Sequence, residues 1–261
     1  MHPRHLLVAS APDAAGDQAL AVARALLPRL HARLTPLLVR LPAAHAARGG
    51  ALPAAEPEVP PPLAAGAAVV EGIPGIEITR YAESHGADLI ILSRVPGEGS
   101  GPPGLGSTWE AVVRRAEVPC LVLPACQERL ARMLVALDGS ERGMVALRLA
   151  IKYRRLSGDG ISAIHVEPED PSGRDFASVP SARSLQLRQA LSEGPLRRHP
   201  IPLIERRGDP VAQVLSGLSA AGGDLLVVGV RRGGAAETSE STGTGRRLLG
   251  AAPCAVLTVP L

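Results

Sequence analysis

The sequence predicts an α/β protein made of two tandem copies of one doubly wound, parallel, five-stranded, Rossmann-like sheet. Three observations predict it. Sliding the chain along itself by 127 places sets Leu7, Val8 and Ala9 on Leu134, Val135 and Ala136, and Leu37 and Val39 on Ile164 and Val166. From residue 72 onward a shift of 136 sets Gly72 and Pro74 on Gly208 and Pro210, Asp88 and Leu89 on Asp224 and Leu225, and Leu121 and Pro124 on Leu257 and Pro260. An ungapped match at both ends marks a duplicated domain. Runs such as MLVAL (133–137) and DLLVV (224–228) are short and continuously apolar, as in strands covered on both faces. Helix-forming segments alternate with them, which gives a parallel sheet.

The repeat places a first domain at 1–124, a linker ACQERLA at 125–131 and a second domain at 132–261. In the second, strands are expected at 133–137, 161–166, 201–205, 224–228 and 255–259. Ser140 is the expected N-cap of the first helix there, with Leu147, Ala150 and Ile151 at core spacing. The two shifts differ by 136 − 127 = 9 residues, gained by the second half in one interval. There the first half reads LPAAHAARGGALPAAEPEVPPPLAAG (41–66), and a proline inside a helix costs about 3 kcal/mol, so a loop is expected. The second half reads SARSLQLRQALSEG (181–194), with Leu185, Leu187 and Leu191 among good helix formers, and predicts the missing helix.

At 261 residues the chain can bury two ordinary cores, and none of its apolar runs approaches the roughly 20 residues that span a bilayer. The start, MHPRHLLVAS, passes straight into strand-like sequence instead of a cleavage site, so a cytoplasmic location without membrane attachment is expected. Cys120, Cys126 and Cys254 lack metal-ligand spacing and lie in or beside apolar stretches, as buried reduced thiols do. The sequence pI of 9.1 raises nucleic-acid binding as a possibility. Against it, aromatic residues are only 2% of the chain and the arginines are scattered, leaving almost nothing on which to stack bases. Lys152, the single lysine, is far from any glycine loop, which excludes a P-loop triphosphatase; no G-x-S-x-G or H-E-x-x-H occurs, and no metal site is read. His165 alternates inside the second strand and reads as a core or pocket-wall residue.

In a doubly wound sheet ligands bind beyond the carboxyl ends of the strands, where the winding reverses. The second half places ALDGSE (136–141) there, and GVRRGG (229–234) followed by AAETSESTGTG (235–245). Together with AIHVEP (163–168), GDP (208–210) and APCAVLTVP (252–260), these motifs resemble the universal stress proteins, specifically their tandem-domain members, over almost the whole chain.

The resemblance implies the adenine nucleotide alpha hydrolase-like fold in two pseudo-two-fold related domains. It implies intramolecular pairing through the last strands, CLVLP (120–124) and AVLTVP (255–260), and leaves a homodimer open. It also implies a stress-response regulator that binds ATP, with Mg2+ as its companion, and has no dedicated catalysis; any ATP hydrolysis would be slow and incidental. In the ATP-binding branch the phosphates lie on a loop of G, two residues, G, nine residues, G, then S or T, where bare backbone amides and a helix N-terminus approach them. Asp138 and Val166 would hold the adenosine, and the implied nucleotide site comprises Ala136, Asp138, Gly139, Val166, Gly229, Arg231, Arg232, Gly233, Thr242, Gly243 and Thr244.

The loop departs from that pattern, because its second glycine falls on Arg232. Counting nine from Gly233 reaches Gly243 and Thr244, whereas counting from Arg232 reaches Thr242 and Gly243. Arg231, Arg232, Arg246 and Arg247 are available to neutralise phosphate charge. The first half departs further: Ala11 replaces the acid, Ser93 the first glycine and Pro96 the second, leaving Gly106 and Ser107. Nucleotide is therefore expected mainly in the second domain, and Asp13 reads as a helix N-cap. Two alternatives stay open: a scaffold that binds no nucleotide, and a weak ATPase.

Overall fold

The computed structural model describes residues 2–10, 13–42, 66–94, 107–125, 127, 129–158, 160–167, 181–192, 200–231 and 243–261. The chain divides between Arg129 and Leu130 into two compact units. The first unit runs β1 (His5–Ala9), α1 (Ala14–Leu30), β2 (Arg33–Arg40), β3 (Ala68–Glu71), α2 (Pro74–Ser84), β4 (Leu89–Arg94), α3 (Thr108–Arg115) and β5 (Cys120–Pro124). Its strands lie in the order β3-β2-β1-β4-β5, each neighbouring pair parallel.

The second unit repeats this plan with β6 (Arg132–Leu137), α4 (Glu141–Lys152), β7 (Gly160–Glu167), α5 (Ala182–Ser192), β8 (Leu203–Arg207), α6 (Pro210–Ala220), β9 (Leu225–Val230), α7 (Thr244–Ala251) and β10 (Ala255–Pro260). Its order is β8-β7-β6-β9-β10, with β8, β7, β6 and β9 parallel. The chain winds outward from β6 through β7 to β8, then returns to the other side of β6. The switch point is therefore between β6 and β9, and in the first unit between β1 and β4.

The runs that gave the repeat away are the sheet cores. Leu6, Leu7, Val8, Leu134, Val135, Leu225, Leu226 and Val227 are all at 0% exposure, and burying each contributes about 1.5–3 kcal/mol. The polar residues of the repeat also have structural work. The Asp88 carboxylate accepts from the backbone N–H groups of Arg4 (2.8 Å) and His5 (3.0 Å), and Asp224 accepts from those of Ala131 (2.8 Å) and Arg132 (2.9 Å). Each aspartate thus ties the start of β4 or β9 to the start of β1 or β6, at the end of the sheet opposite the switch point. Asp13 and Ser140, 127 residues apart, cap α1 and α4 by accepting from the N–H of Gly16 (2.8 Å) and Gly143 (3.0 Å). Leu147 and Ala150 are buried as expected, and Ile151 lies half-buried at the rim.

The helix expected over 181–194 is α5, whereas most of the proline-rich 41–66 stretch lies outside the described residues, as do Cys126 and most of the loop after Arg231. Cys120 and Cys254 are buried free thiols. The observed strands differ from the expected bounds by one residue at most, except at two strands. β8 begins at Leu203 instead of residue 201, because Pro202 has no N–H and lends only its carbonyl, to the Ala163 N–H (2.8 Å); at its far end Arg207 pairs with Glu167 (3.4 Å). β9 continues through Val230, so Gly229 lies inside the strand. Among the described residues no helix is long and apolar enough to cross a membrane.

Candidate functional site

Beyond the C-terminal ends of β6 and β9 the second unit opens into a cleft of about 940 Å³, within the size class of small-molecule sites. One wall is apolar, formed by Val166, Pro210, Val214 and Leu248. β7 reaches two residues past its last partner on β6, the pair Leu137 and His165, so its backbone continues beside the cleft with no strand of β6 against it.

Asp138 enters the cleft directly after β6. Its Oδ1 accepts from the Ser140 N–H (2.9 Å) and the Ser140 hydroxyl (2.7 Å), an Asx turn that leaves Oδ2 for a ligand. Gly139 makes that turn possible at φ +73°, in the left-handed region. Gly143 matters as much, because a methyl group on its Cα would collide with Asp138 Oδ1. The acid can lie over the first turn of α4 only because residue 143 has no side chain.

The N-terminus of α7 also faces the cleft, through Gly243, Thr244 and Gly245. Its N-cap is Gly243, which supplies no side-chain bond, its first turn contains no acid, and among the described residues no acceptor is found for the Thr244 and Gly245 amides. Arg231 and Arg246 line the cleft, and Arg247 pairs with Asp209 at 3.6 Å. The N-terminus of α5 is already occupied: hydrogen bonding from Ser181, aided by the Arg207 guanidinium, holds the Glu167 carboxyl below the usual carboxylate range.

Two glycines at the β9 end pack tightly. A Cβ on Gly229 would lie 2.5 Å from Leu261 Cδ1, and one on Gly245 would fall on the Gly229 carbonyl; a Cβ on Gly243 would meet open space. In the first unit Ser93 stands where Gly229 does and donates its hydroxyl to the Ala15 carbonyl (2.6 Å). Trp109, half-buried, stands where Gly245 does, 136 places on.

The sequence profile of the universal stress protein family matches residues 3–124 and again residues 130–260. The chain belongs to the universal stress protein family. A universal stress protein from Archaeoglobus fulgidus DSM 4304 superposes with a TM-score of 0.68 at 18% identity, covering 98% of this chain and 96% of that one. A putative universal stress protein from Pseudomonas aeruginosa UCBPP-PA14 gives 0.67 at 16% identity, covering 99% and 93%. These likenesses show the shared fold. No curated protein matches the sequence.

Of the residues expected from the universal stress protein pattern, the fold brings Ala136, Asp138, Val166, Gly229, Arg231, Gly243 and Thr244 to one cleft. Gly139 is not in its wall and acts through its turn. Arg232, Gly233 and Thr242 lie outside the described residues, as do Ala11, Pro96 and Gly106. Sequence reasoning missed Gly143, Arg183 and Leu261. Arg183, on the first turn of α5, lays its stem over Gly139, with Cδ 3.1 Å from where a Cβ would be, and has no acidic partner among the described residues. The repeat did carry a signal for Gly143: Gly16 precedes it by 127 places, and glycine in the first turn of both helices runs against helix propensity.

Proposed function

We propose that this universal stress protein binds ATP, or a related adenine nucleotide, in the cleft of its second unit, and regulates a stress response through that bound state without dedicated catalysis. The observation that carries the reading is the polarity of the cleft. The α7 N-terminus with Arg231 and Arg246 suits phosphates, the apolar side chains of Val166, Pro210, Val214 and Leu248 suit a base, and Asp138 lines the same cleft. Among the described residues no group of three or more His, Cys, Asp or Glu could hold a metal, so Mg2+ would enter on the phosphates, keeping several of its waters. Isothermal calorimetry should find one ATP site per chain, and Asp138→Ala should weaken it at least tenfold. Absence of heat at millimolar ATP would overturn the proposal.

A scaffold role without nucleotide is favoured by one specific observation: packing against Leu261 already accounts for glycine at position 229. The two readings separate in the purified protein. Trp109 is the single tryptophan, so protein background is small, and excess absorbance at 260 nm after extraction marks a retained nucleotide.

A further inference from the structure

His165 is 3% exposed, yet it lines the cleft. It pairs across β6–β7 with Leu137, the residue before Asp138. Its Nδ1 lies 2.8 Å from the Leu137 carbonyl. A carbonyl only accepts, so Nδ1 carries the proton, and in the neutral ring Nε2 is an acceptor of fixed direction. No donor to Nε2 is found among the described residues. Glu167, two residues along on the same side of β7, cannot supply one, since Ser181 and Arg207 hold it in the charged, acceptor-only form.

We infer that His165 is a specificity-determining residue of the nucleotide cleft: its Nε2 and the Oδ2 of Asp138, acceptors of two residues that line the same cleft and without a donor among the described residues, read the vicinal diol of a ribose, so the site prefers ribonucleotides to 2′-deoxyribonucleotides. The inference rests on the nucleotide reading above. Two acceptors call for two donors; phosphates offer none and an adenine facing the apolar wall offers one amine, whereas a ribose presents two adjacent hydroxyls. A buried acceptor that loses its donor on deoxygenation turns a missing hydroxyl into discrimination.

The test is calorimetry of the full chain with ATP and with 2′-deoxy-ATP, for the wild type, His165→Asn and His165→Gln. Asn keeps a donor at the Nδ1 position for Leu137 and removes the Nε2 acceptor, whereas the longer Gln places an amide near Nε2. The wild type should favour ATP by about three- to tenfold, His165→Asn should bind both ligands equally, and His165→Gln should regain part of the preference. ATP binding with a ratio near one in the wild type, or a ratio that His165→Asn leaves intact, overturns the inference while the nucleotide reading stands. A wild type that binds neither ligand overturns both. If the Asn variant fails to fold, the wild-type ratio decides.

Discussion

Gly245 and Gly250 lie five residues apart on α7, and the packing gives opposite signs for the same substitution at each. A methyl on Gly250 meets nothing within 4 Å, and the residue is exposed. Gly250→Ala should therefore gain the helix-propensity difference, about 0.5–1 kcal/mol. A methyl on Gly245 falls on the Gly229 carbonyl, which belongs to the central part of the sheet and cannot rotate away as a side-chain tip could. The first turn of α7 must withdraw from β9, and overpacking of this kind costs about 1–3 kcal/mol. Against a propensity gain of about 0.5–1 kcal/mol the net is a loss of up to about 2.5 kcal/mol. Urea unfolding followed by circular dichroism measures both variants against the wild type. Equal stabilisation by the two alanines would refute the close approach of α7 to β9, and with it the placement of open helix amides beside Gly229.

The aspartates that open β4 and β9 should matter for stability and not for ligand. Asp224→Ala removes two charge-assisted bonds to the Ala131 and Arg132 amides and should cost about 2 kcal/mol in denaturant titrations, with ATP affinity measured on the folded variant unchanged. A change in affinity would contradict the site's location at the other end of the sheet. His5 sets a pH dependence: burial first, then the Arg33 guanidinium, hold its pKa below the usual 6.5 against the opposing carbonyls of Gly86 and His85 and the Asp88 carboxylate. The unfolded ring binds its proton at higher pH than the folded ring. Its contribution is therefore fully present above about pH 6.5 and is lost as pH falls from there through the lowered value. Stability measured between pH 7.5 and 5 should fall less steeply in His5→Gln than in the wild type; identical slopes would refute the assignment.

Much of the fold was legible because the duplication is ungapped where elements matter. The 127-place shift carries β2 onto β7, and the 136-place shift carries α2 onto α6, β4 onto β9 and α3 onto α7, each at both bounds. The cleft residues that came from strand ends, Asp138, Val166 and Gly229, were legible for the same reason: in a doubly wound sheet position along the strand fixes position at the crevice. What stayed hidden depends on which chain segments meet. Gly229 reads as a phosphate glycine in sequence, and only the fold reveals Leu261 and Gly245 pressed against it. Arg183 carries no motif, and it reaches the cleft because α5 starts beside Gly139. Gly143 needed the knowledge that Asp138 folds back over α4. The bound of β8 slipped for a local reason, the missing N–H of Pro202.

The central claim is that a nucleotide lies at the β6–β9 switch point with its phosphates on the N-terminus of α7. A crystal structure of the full chain grown with ATP tests it most directly. The account predicts phosphate density within hydrogen-bonding reach of the Gly243–Gly245 amides and Asp138 in contact with the nucleoside. Nucleotide in the first unit instead, or phosphates at the start of α5, would contradict it.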